Sequence, residues 1–581
     1  EGNPARAKFT LIGYRMRFLI AAALFILSVF MLLFGLAERT IWAPPANYSA
    51  SLKLQSSKPL AIIPAETLAR HPGNPTIRVS GAKPVFIASG READIKAWIG
   101  ISEFETVSFD AKTKGLINQP TVGAKNIDNP AGSDLWRAEQ KASGYAELQI
   151  SRAEHGAALI ASDGAKPVPT NLTIVWPIPN NLTRSNIFLI AGAVVLLGAF
   201  VMNFLAYRHM RKSRGPRRRT PTPPKPPRYK VKRNKANAPV RGRRSARRAF
   251  IAVPLTISLL AISTGCTNQA QPSASPSPSI SSINVPPVAL TAAQVDKILN
   301  EVAKTAADAD LVSDKKVLLS RFTGPALAQR TANYILRTRS ASVAKLPKIV
   351  ASPIAFSLPA ATDAWPRSLM VVTDEPGDEA LPQMLVFQQQ APRSKYMLWY
   401  NIRLMPGAKI PEVPSSDTGA IPVDIKSLFL KLAPQDIASA YGDVLNRGAS
   451  SLSQGLFDLT KDEFYKQVSE SQKSQVANLT TGTITFKHTL GSPNVISLST
   501  TKAGALVAVY MTDTYVIKPK KRGSAVAVSG QEKVLLGADG STRGVRSVYG
   551  DMMLFYVPAL SDTAGIRLLG VTQGLVSVRS L

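Results

Sequence analysis

One cysteine, four histidines and a few serine–lysine pairs are the residues of this 581-residue chain whose types invite a chemical reading. Cys266 stands alone, so an intrachain disulfide and a cysteine-built zinc site are both excluded. A lone thiol can still carry a covalent group. The three residues before it, Ser263, Thr264 and Gly265, are small enough to let a peptidase reach the backbone. His71, His155, His209 and His488 are scattered, and His488 falls in an expected strand. A structural role fits each of them, so no metal ligand and no cofactor is assigned. SDKK at 313–316 and SVAK at 342–345 match S-x-x-K, but such short patterns recur by chance and no K-T-G follows. G-x-S-x-G, G-x-x-x-x-G-K-[ST], H-E-x-x-H and G-x-G-x-x-G do not occur. No catalytic residue is assigned, and the chain is read as non-enzymatic.

Any such residue must be positioned by a chain with an uneven apolar pattern. Phe18 to Ala37 is 20 residues without a charge, enough for a helix of ~30 Å. Arg6, Lys8, Arg15 and Arg17 precede it against Glu1 alone, which puts that end in the cytoplasm. Glu1 in place of a methionine suggests that a short piece precedes it. A cleaved signal peptide is the bland alternative, but the run is long for one and no good A-x-A site follows. Ile187 to Ala206 is a second uncharged run, with a basic cluster starting at Arg208. The expected topology therefore places residues 38–186 outside the membrane.

The net charge of +32 invites a nucleic-acid reading. Its distribution argues against one. Arg208 to Arg248 holds 18 Lys or Arg and no acid, whereas residues 38–186 hold 16 basic and 13 acidic residues. The excess is local. Proline and the lack of aliphatic residues predict a disordered cytoplasmic linker at 207–248. Arg208, Arg211, Lys212, Arg217, Arg218, Arg219, Arg243, Arg244, Arg247 and Arg248 are read as contacts to anionic lipid headgroups, each contributing ~1 kcal/mol near an anionic leaflet. Specific nucleic-acid binding is not expected.

The third apolar run, 249–265, contains Pro254, follows RRSARR and ends at Cys266. Basic residues, an apolar run and a small-small-Gly-Cys end resemble a bacterial lipoprotein signal. The resemblance implies diacylglycerol on Cys266, with Ser263, Thr264 and Gly265 as the rest of the lipobox. Ser263 stands where such signals prefer Leu. A QPSASPSPS stretch follows, a composition suited to a tether. The alternative is a plain third transmembrane helix beside an incidental cysteine.

Between the first two runs, short apolar alternations such as TIRVS at 76–80 and LTIVWP at 172–177 predict a small antiparallel β-sandwich. READIKAWIG at 91–100 predicts one helix. PVFIASGREADIKAWIG, EFETVSFD and SDLWRAEQKASGYAELQI resemble a group of actinobacterial two-helix membrane proteins with an exported β-sandwich. The resemblance covers 18–206 and rests on Phe86, Gly90, Ala93, Asp94, Trp98, Trp136 and Gly144; the group's Asn-Ala-Asp-Gly turn is reduced to Ala161, Ser162, Asp163 and Gly164. It implies fold and location, and no chemistry. Trp98 and Trp136 are read as core residues.

From Val288 the pattern changes to amphipathic helices, 290–310 and 324–340, followed by strands at 368–374, 383–390 and 395–404. The order returns: helices at 435–446 and 461–475, then strands at 483–488, 494–500, 505–517, 547–558 and 566–578. Two helix–helix–sheet units, 288–415 and 416–581, resemble a pair of cystatin-like cone folds of the nuclear transport factor 2-like superfamily. The expected whole is a multidomain membrane protein: cytoplasmic 1–17, transmembrane 18–37, exported β-sandwich 38–186, transmembrane 187–206, linker 207–248, third helix or lipoprotein signal 249–265, tether 266–287 and an α+β C-terminal half. It would sit in a bacterial plasma membrane as a scaffold contacting lipid and unidentified envelope proteins. The alternative is a binding module whose cone-fold pocket captures a lipid, glycan precursor or peptide.

Overall fold

The computed structural model describes residues 4–43, 45–54, 57–81, 84–125, 127–151, 156–178, 183–213, 286–374, 377 and 381–581. Residues 214–285, which include the third apolar run, Cys266 with Ser263, Thr264 and Gly265, and the basic residues from Arg217 to Arg248, lie outside them. Two compact units emerge, one built on two long helices and one containing 44–180 with 284–581.

The helical unit pairs α1 (Pro4–Ala37) with α4 (Thr183–Ser213). Both are long and apolar enough to cross a membrane, over Phe18–Ala37 and Thr183–Arg211. They are uniformly apolar rather than striped, the pattern expected where the surroundings are lipid on most sides. Glycine lets the two backbones approach. A Cβ at Gly35 would sit 2.9 Å from the Leu189 side chain, and one at Gly192 would sit 3.0 Å from that of Leu32. Ser185 donates from Oγ to the Gly35 carbonyl at 2.7 Å. Phe34 stacks edge-on with Phe188 at 4.8 Å.

The first part of the second unit contains β1 (Asn47–Lys53), β2 (Leu60–Ile63), α2 (Ala65–Leu68), β3 (Thr76–Ser80), β4 (Val85–Arg91), α3 (Glu92–Ile99), β5 (Phe104–Asp110), β6 (Gly115–Thr121), β7 (Ala138–Ala142), β8 (Tyr145–Gln149), β9 (Gly156–Ala161) and β10 (Asn171–Pro177). They form a four-stranded sheet, β1-β10-β3-β8, and a six-stranded sheet, β6-β5-β2-β9-β4-β7. Alternation decides the inner faces: Ile77, Val79, Leu172, Ile174 and Trp176 of one sheet meet Ala61, Ile63, Ile87, Val107 and Ile160 of the other. The sandwich is not wholly antiparallel, because β2 pairs with β5 in parallel. The second face of the larger sheet is covered too. Leu60, Ile62, Phe86 and Leu159 pack there against Ile95, Trp98 and Trp136. Trp98 and Trp136 are 2% and 1% exposed, with ring centroids 5.7 Å apart. Truncating either to alanine would cost about 3–5 kcal/mol.

The C-terminal part opens with α5 (Ala292–Val312), α6 (Lys315–Leu318) and α7 (Gly324–Arg339), followed by β11 (Ile354–Pro359), β12 (Arg367–Thr373), β13 (Gln383–Gln389) and β14 (Met397–Arg403) in a consecutive antiparallel sheet. A capping box starts α5: Thr291 accepts from the Gln294 N–H while Gln294 Oε1 accepts from the Thr291 N–H. Next come α8 (Ile437–Arg447), α9 (Glu463–Asn478), β15 (Gly482–Ser499), β16 (Ala505–Pro519), β17 (Val526–Ala527), α10 (Gly530–Leu536), β18 (Gly540–Ser541), β19 (Val545–Val557) and β20 (Arg567–Ser580). The second sheet runs β15-β16-β19-β20, and β17 pairs with β18.

Cross-strand register places Met370, Val386 and Tyr400 in one row of the first sheet. Tyr400 donates to the Asn494 carbonyl of the second sheet. Leu506, Ala508, Met552 and Leu554 belong to the same core as that row. The opposite face of the second sheet, Val507, Val509, Met511, Met553 and Phe555, packs on Ile437, Tyr441 and Phe464 of α8 and α9. The two sheets thus lie between two helical layers.

Several expectations are corrected here. Residues 483–488 and 494–500 are one long strand, β15, interrupted by irregular register around Leu490–Ile496. The strands β5, β6, β7, β9 and β11 and the two-residue strands β17 and β18 are not among those read from the sequence. β6 and β7 are edge strands of polar or alanine-rich sequence, and β6 carries Pro120. β9, GAALIA, is buried along its whole length and so shows no alternation.

Candidate functional site

The residues singled out by chemistry scatter. Arg208, Arg211 and Lys212 lie in the last turns of α4. His71 packs among aromatic rings, 4.5 Å from Tyr48 and 5.2 Å from Trp176. Ser313 ends α5 in the left-handed region and Ser342 pairs with Ser340, so neither S-x-x-K serine meets a partner for catalysis. What the fold gathers instead is buried charge, in two places.

The first lies where the sandwich meets the C-terminal part. The loop before β7 presents Asp134, 1% exposed. Arg321 closes on both its oxygens, Nη1 to Oδ2 at 2.6 Å and Nη2 to Oδ1 at 2.8 Å. Arg321 also reaches Glu301 and the Tyr396 carbonyl. The Tyr396 N–H donates to Asp134 Oδ2 at 2.7 Å, and Gln294 donates to the Asp134 carbonyl at 2.9 Å. Nearby, Asp94 of α3 accepts from Arg91 at 2.7 and 2.8 Å and from Arg367 at 2.8 Å. The Arg367 guanidinium stacks 3.7 Å over Trp365. Arg393 donates to the carbonyls of Trp98 and Ile99 at the end of α3, at 2.9 and 3.0 Å, and to Ser102 Oγ at 2.7 Å. Fork-to-carboxylate pairs of this kind are geometrically specific, and each would be strongly destabilising if only one partner were removed.

The second cluster lies on the helix-facing side of the second sheet. Asn446 of α8 pairs with both backbone groups of His488, accepting its N–H and donating to its carbonyl at 2.9 Å each. The His488 backbone is therefore turned away from β16, which makes His488 and Asp513 a close, non-hydrogen-bonded cross-strand pair. Asp551 sits opposite Met511 on β19, diagonal to Asp513 and on the same face. One ligand atom from each of the three lies within 4.8 Å of the other two. Asp513 and Asp551 are 0% exposed and His488 is 2% exposed. His488 Nδ1 lies 3.3 Å from Asp513 Oδ1. None of the four carboxylate oxygens, nor Nδ1, has a hydrogen-bond partner of normal geometry. Tyr515 and Gln573 nonetheless lie close enough to favour the ionised carboxylates somewhat.

Burial pushes Asp513 up to about 7, and the Asp551 charge adds to the shift. Burial likewise raises Asp551 to about 7 and lowers His488 to about 4. With no cation present, the pair of carboxylates holds a proton near neutrality and the imidazole is neutral. The charge pattern and the strand identity of His488 were readable in the sequence; the meeting of the three was not, because it depends on the register of three strands.

A cleft of about 380 Å³ opens beside β20, lined by Met405, Lys409, Asp458, Lys461, Glu463 and Arg567 among others. Its walls are mixed: Met405, Leu568 and Leu569 line it beside the charged side chains.

The family model described as domain of unknown function DUF8094 matches residues 286–580, and the chain belongs to that family. No curated protein and no solved structure matches the chain.

Proposed function

We propose that this chain is a non-catalytic, membrane-anchored scaffold of a bacterial cell envelope, presenting its folded unit outside the plasma membrane to other envelope proteins. The supporting observation is an exposed apolar patch in the C-terminal part. Leu428 and Phe429 are 81% and 84% exposed, and Leu560, whose N–H donates to the Phe429 carbonyl at 2.8 Å, is 63% exposed. Contiguous apolar surface of this kind is a mark of interaction sites. A photoreactive phenylalanine analogue at Phe429, irradiated in native membranes, is expected to capture envelope proteins; capture of lipid alone, or of nothing, would sink the reading.

Topology follows from the same unit. Residues 44–180 lie between two helices able to cross the membrane, and 284–581 pack on them through the Asp134 and Asp94 pairs, so both belong on one side. The second helix leads to the other side, where Arg208, Arg211 and the following cluster meet anionic headgroups. The stretch after it must bring the chain back, and 249–265 is the uncharged run available to do so. If that run is a lipoprotein signal cut before Cys266, the C-terminal piece stays attached through buried ion pairs, and the product is a two-chain complex. The recurring order, two longer helices followed by a four-stranded antiparallel sheet, is compatible with cystatin-like cone folds. The charged side chains in the mixed lining of the cleft favour a second reading as a binder of a polar or amphipathic ligand such as a glycan precursor.

A further inference from the structure

We propose that His488, Asp513 and Asp551 form a structural site for one divalent first-row transition-metal ion, held between three strands of the last sheet. The donor set is one imidazole nitrogen and two carboxylates, whose combined charge neutralises a dication. An imidazole ligand favours Zn²⁺, Mn²⁺ or Fe²⁺ over Ca²⁺ and Mg²⁺, which take oxygen ligands. Spacing fits as well. Ligand atoms about 2.1 Å from a tetrahedral ion lie about 3.4 Å apart, and His488 Nδ1 and Asp513 Oδ1 are separated by 3.3 Å.

The second observation is how poorly the chain itself satisfies these groups. Both oxygens of each aspartate and His488 Nδ1 are buried without a hydrogen-bond partner of normal geometry, with only Tyr515 and Gln573 nearby to favour the ionised carboxylates. Buried polar atoms are nearly always satisfied, so several of them left short of partners on three adjacent side chains mark a missing ligand. No Lys or Arg is paired with either carboxylate among the described residues, whereas Asp94 and Asp134 at the junction each have an arginine. The cluster also has an outer support. The Gln472 amide lies 2.8 Å from His488 Nε2. With its carbonyl oxygen turned to accept the Nε2 proton, it leaves the Nδ1 lone pair facing Asp513. Burial of all three ligands implies an ion taken up during folding and then closed off.

The test uses the full chain in detergent, purified without chelator. Elemental analysis is expected to find about one metal equivalent per chain in the wild type. Asp513→Asn and Asp551→Asn, which keep side-chain volume, are each expected to weaken Zn²⁺ binding by more than about 100-fold. Gln472→Leu removes no ligand, only the outer support of His488, and is expected to weaken binding by about 10-fold. This variant keeps the test decisive if a ligand variant fails to fold. Substituting Co²⁺ should give a visible absorption band in the wild type that Asp551→Asn abolishes. A wild-type chain with no bound metal and no rise in Tm on adding Zn²⁺ or Mn²⁺ would overturn the site, leaving the two aspartates sharing a proton. Equal metal content in wild type and Asp551→Asn would also overturn it, placing any ion elsewhere.

Discussion

Asp134 and Asp551 are both aspartates with almost no exposed surface, yet the fold treats them in opposite ways. Around Asp134 the chain supplies its own countercharge: the Arg321 fork covers both oxygens, the Tyr396 N–H donates to the carboxylate, and the Gln294 side chain holds the Asp134 carbonyl. Around Asp551 and its neighbour Asp513 there is a neutral histidine and no cation. A buried carboxylate can shed the cost of desolvation by pairing, by protonation or by binding an ion. At the junction the answer is written into the chain. In the last sheet it is left to a proton or an ion. The difference also sorts the roles: arginine pairs hold two parts of the chain together, while the His488 cluster holds three strands of one part.

The largest expected effect breaks the junction. Arg321→Met leaves Asp134 buried without a cation and should destabilise the full chain by about 3–5 kcal/mol in a denaturant titration. Adding Asp134→Leu should recover most of that loss, because a volume-matched apolar pair carries no desolvation cost. A single variant as stable as wild type would mean that the Arg321 fork does not hold the junction.

Arg367→Met should cost less, about 1–3 kcal/mol, because Arg91 still holds Asp94 at 2.7 Å. A loss as large as that of Arg321→Met would show that Arg91 and Arg367 act as one unit.

The same substitution logic reverses at the other cluster. In chelator, Asp551→Asn removes a buried charge that has no protein cation, so stability should change by no more than about 1 kcal/mol or rise. A drop of several kcal/mol in chelator would mean that the charged form is held by contacts within the chain, and the contrast with Asp134 would fail.

The smallest perturbation cuts the chain without touching either cluster. A protease site inserted in the Ser/Pro stretch 267–280 should, after cleavage, leave 284–581 co-purifying with 44–180. Buried pairs are poorly screened, so the association should survive molar salt. Separation of the pieces on size exclusion would refute a shared unit. Surface labelling checks the side: in a Cys266→Ser background, Lys166→Cys and Arg543→Cys should react with an impermeant maleimide on intact cells, and Thr222→Cys should not. Ser162 looks like an exposed turn residue in sequence, but it is 2% exposed and bonds the Pro84 carbonyl, so it would mislead as a labelling position.

Periodicity alone located most elements of the fold. The helices at 292–312 and 324–339, and strands such as β3 and β10 with strict alternation, were legible because one face is wet and the other dry. β9 was not, since a strand buried on both faces has no alternation to read. Trp98 and Trp136 were legible as core because large aromatic side chains rarely find another home. Asp94 has one partner, Arg91, three residues before it, but gave no sign of the other, because Arg367 lies far along the chain.

By itself the sequence determined what depends on local composition: two helices apolar enough for a membrane, a basic segment after the second, a lone cysteine, and two rounds of helices followed by strands. Hydropathy and spacing act through neighbours, and neighbours are visible in a string. Only the tertiary structure decided which charges meet. Asp134 finds Arg321 by docking of two parts far apart in sequence, with a helix apolar enough to cross a membrane between them, and His488 finds Asp513 and Asp551 through a strand register fixed by burying Met511 and Met553 on the helix side of the sheet. Electrostatic partners are chosen by packing that the charged residues do not themselves control, which is why no reading of their spacing foresees them.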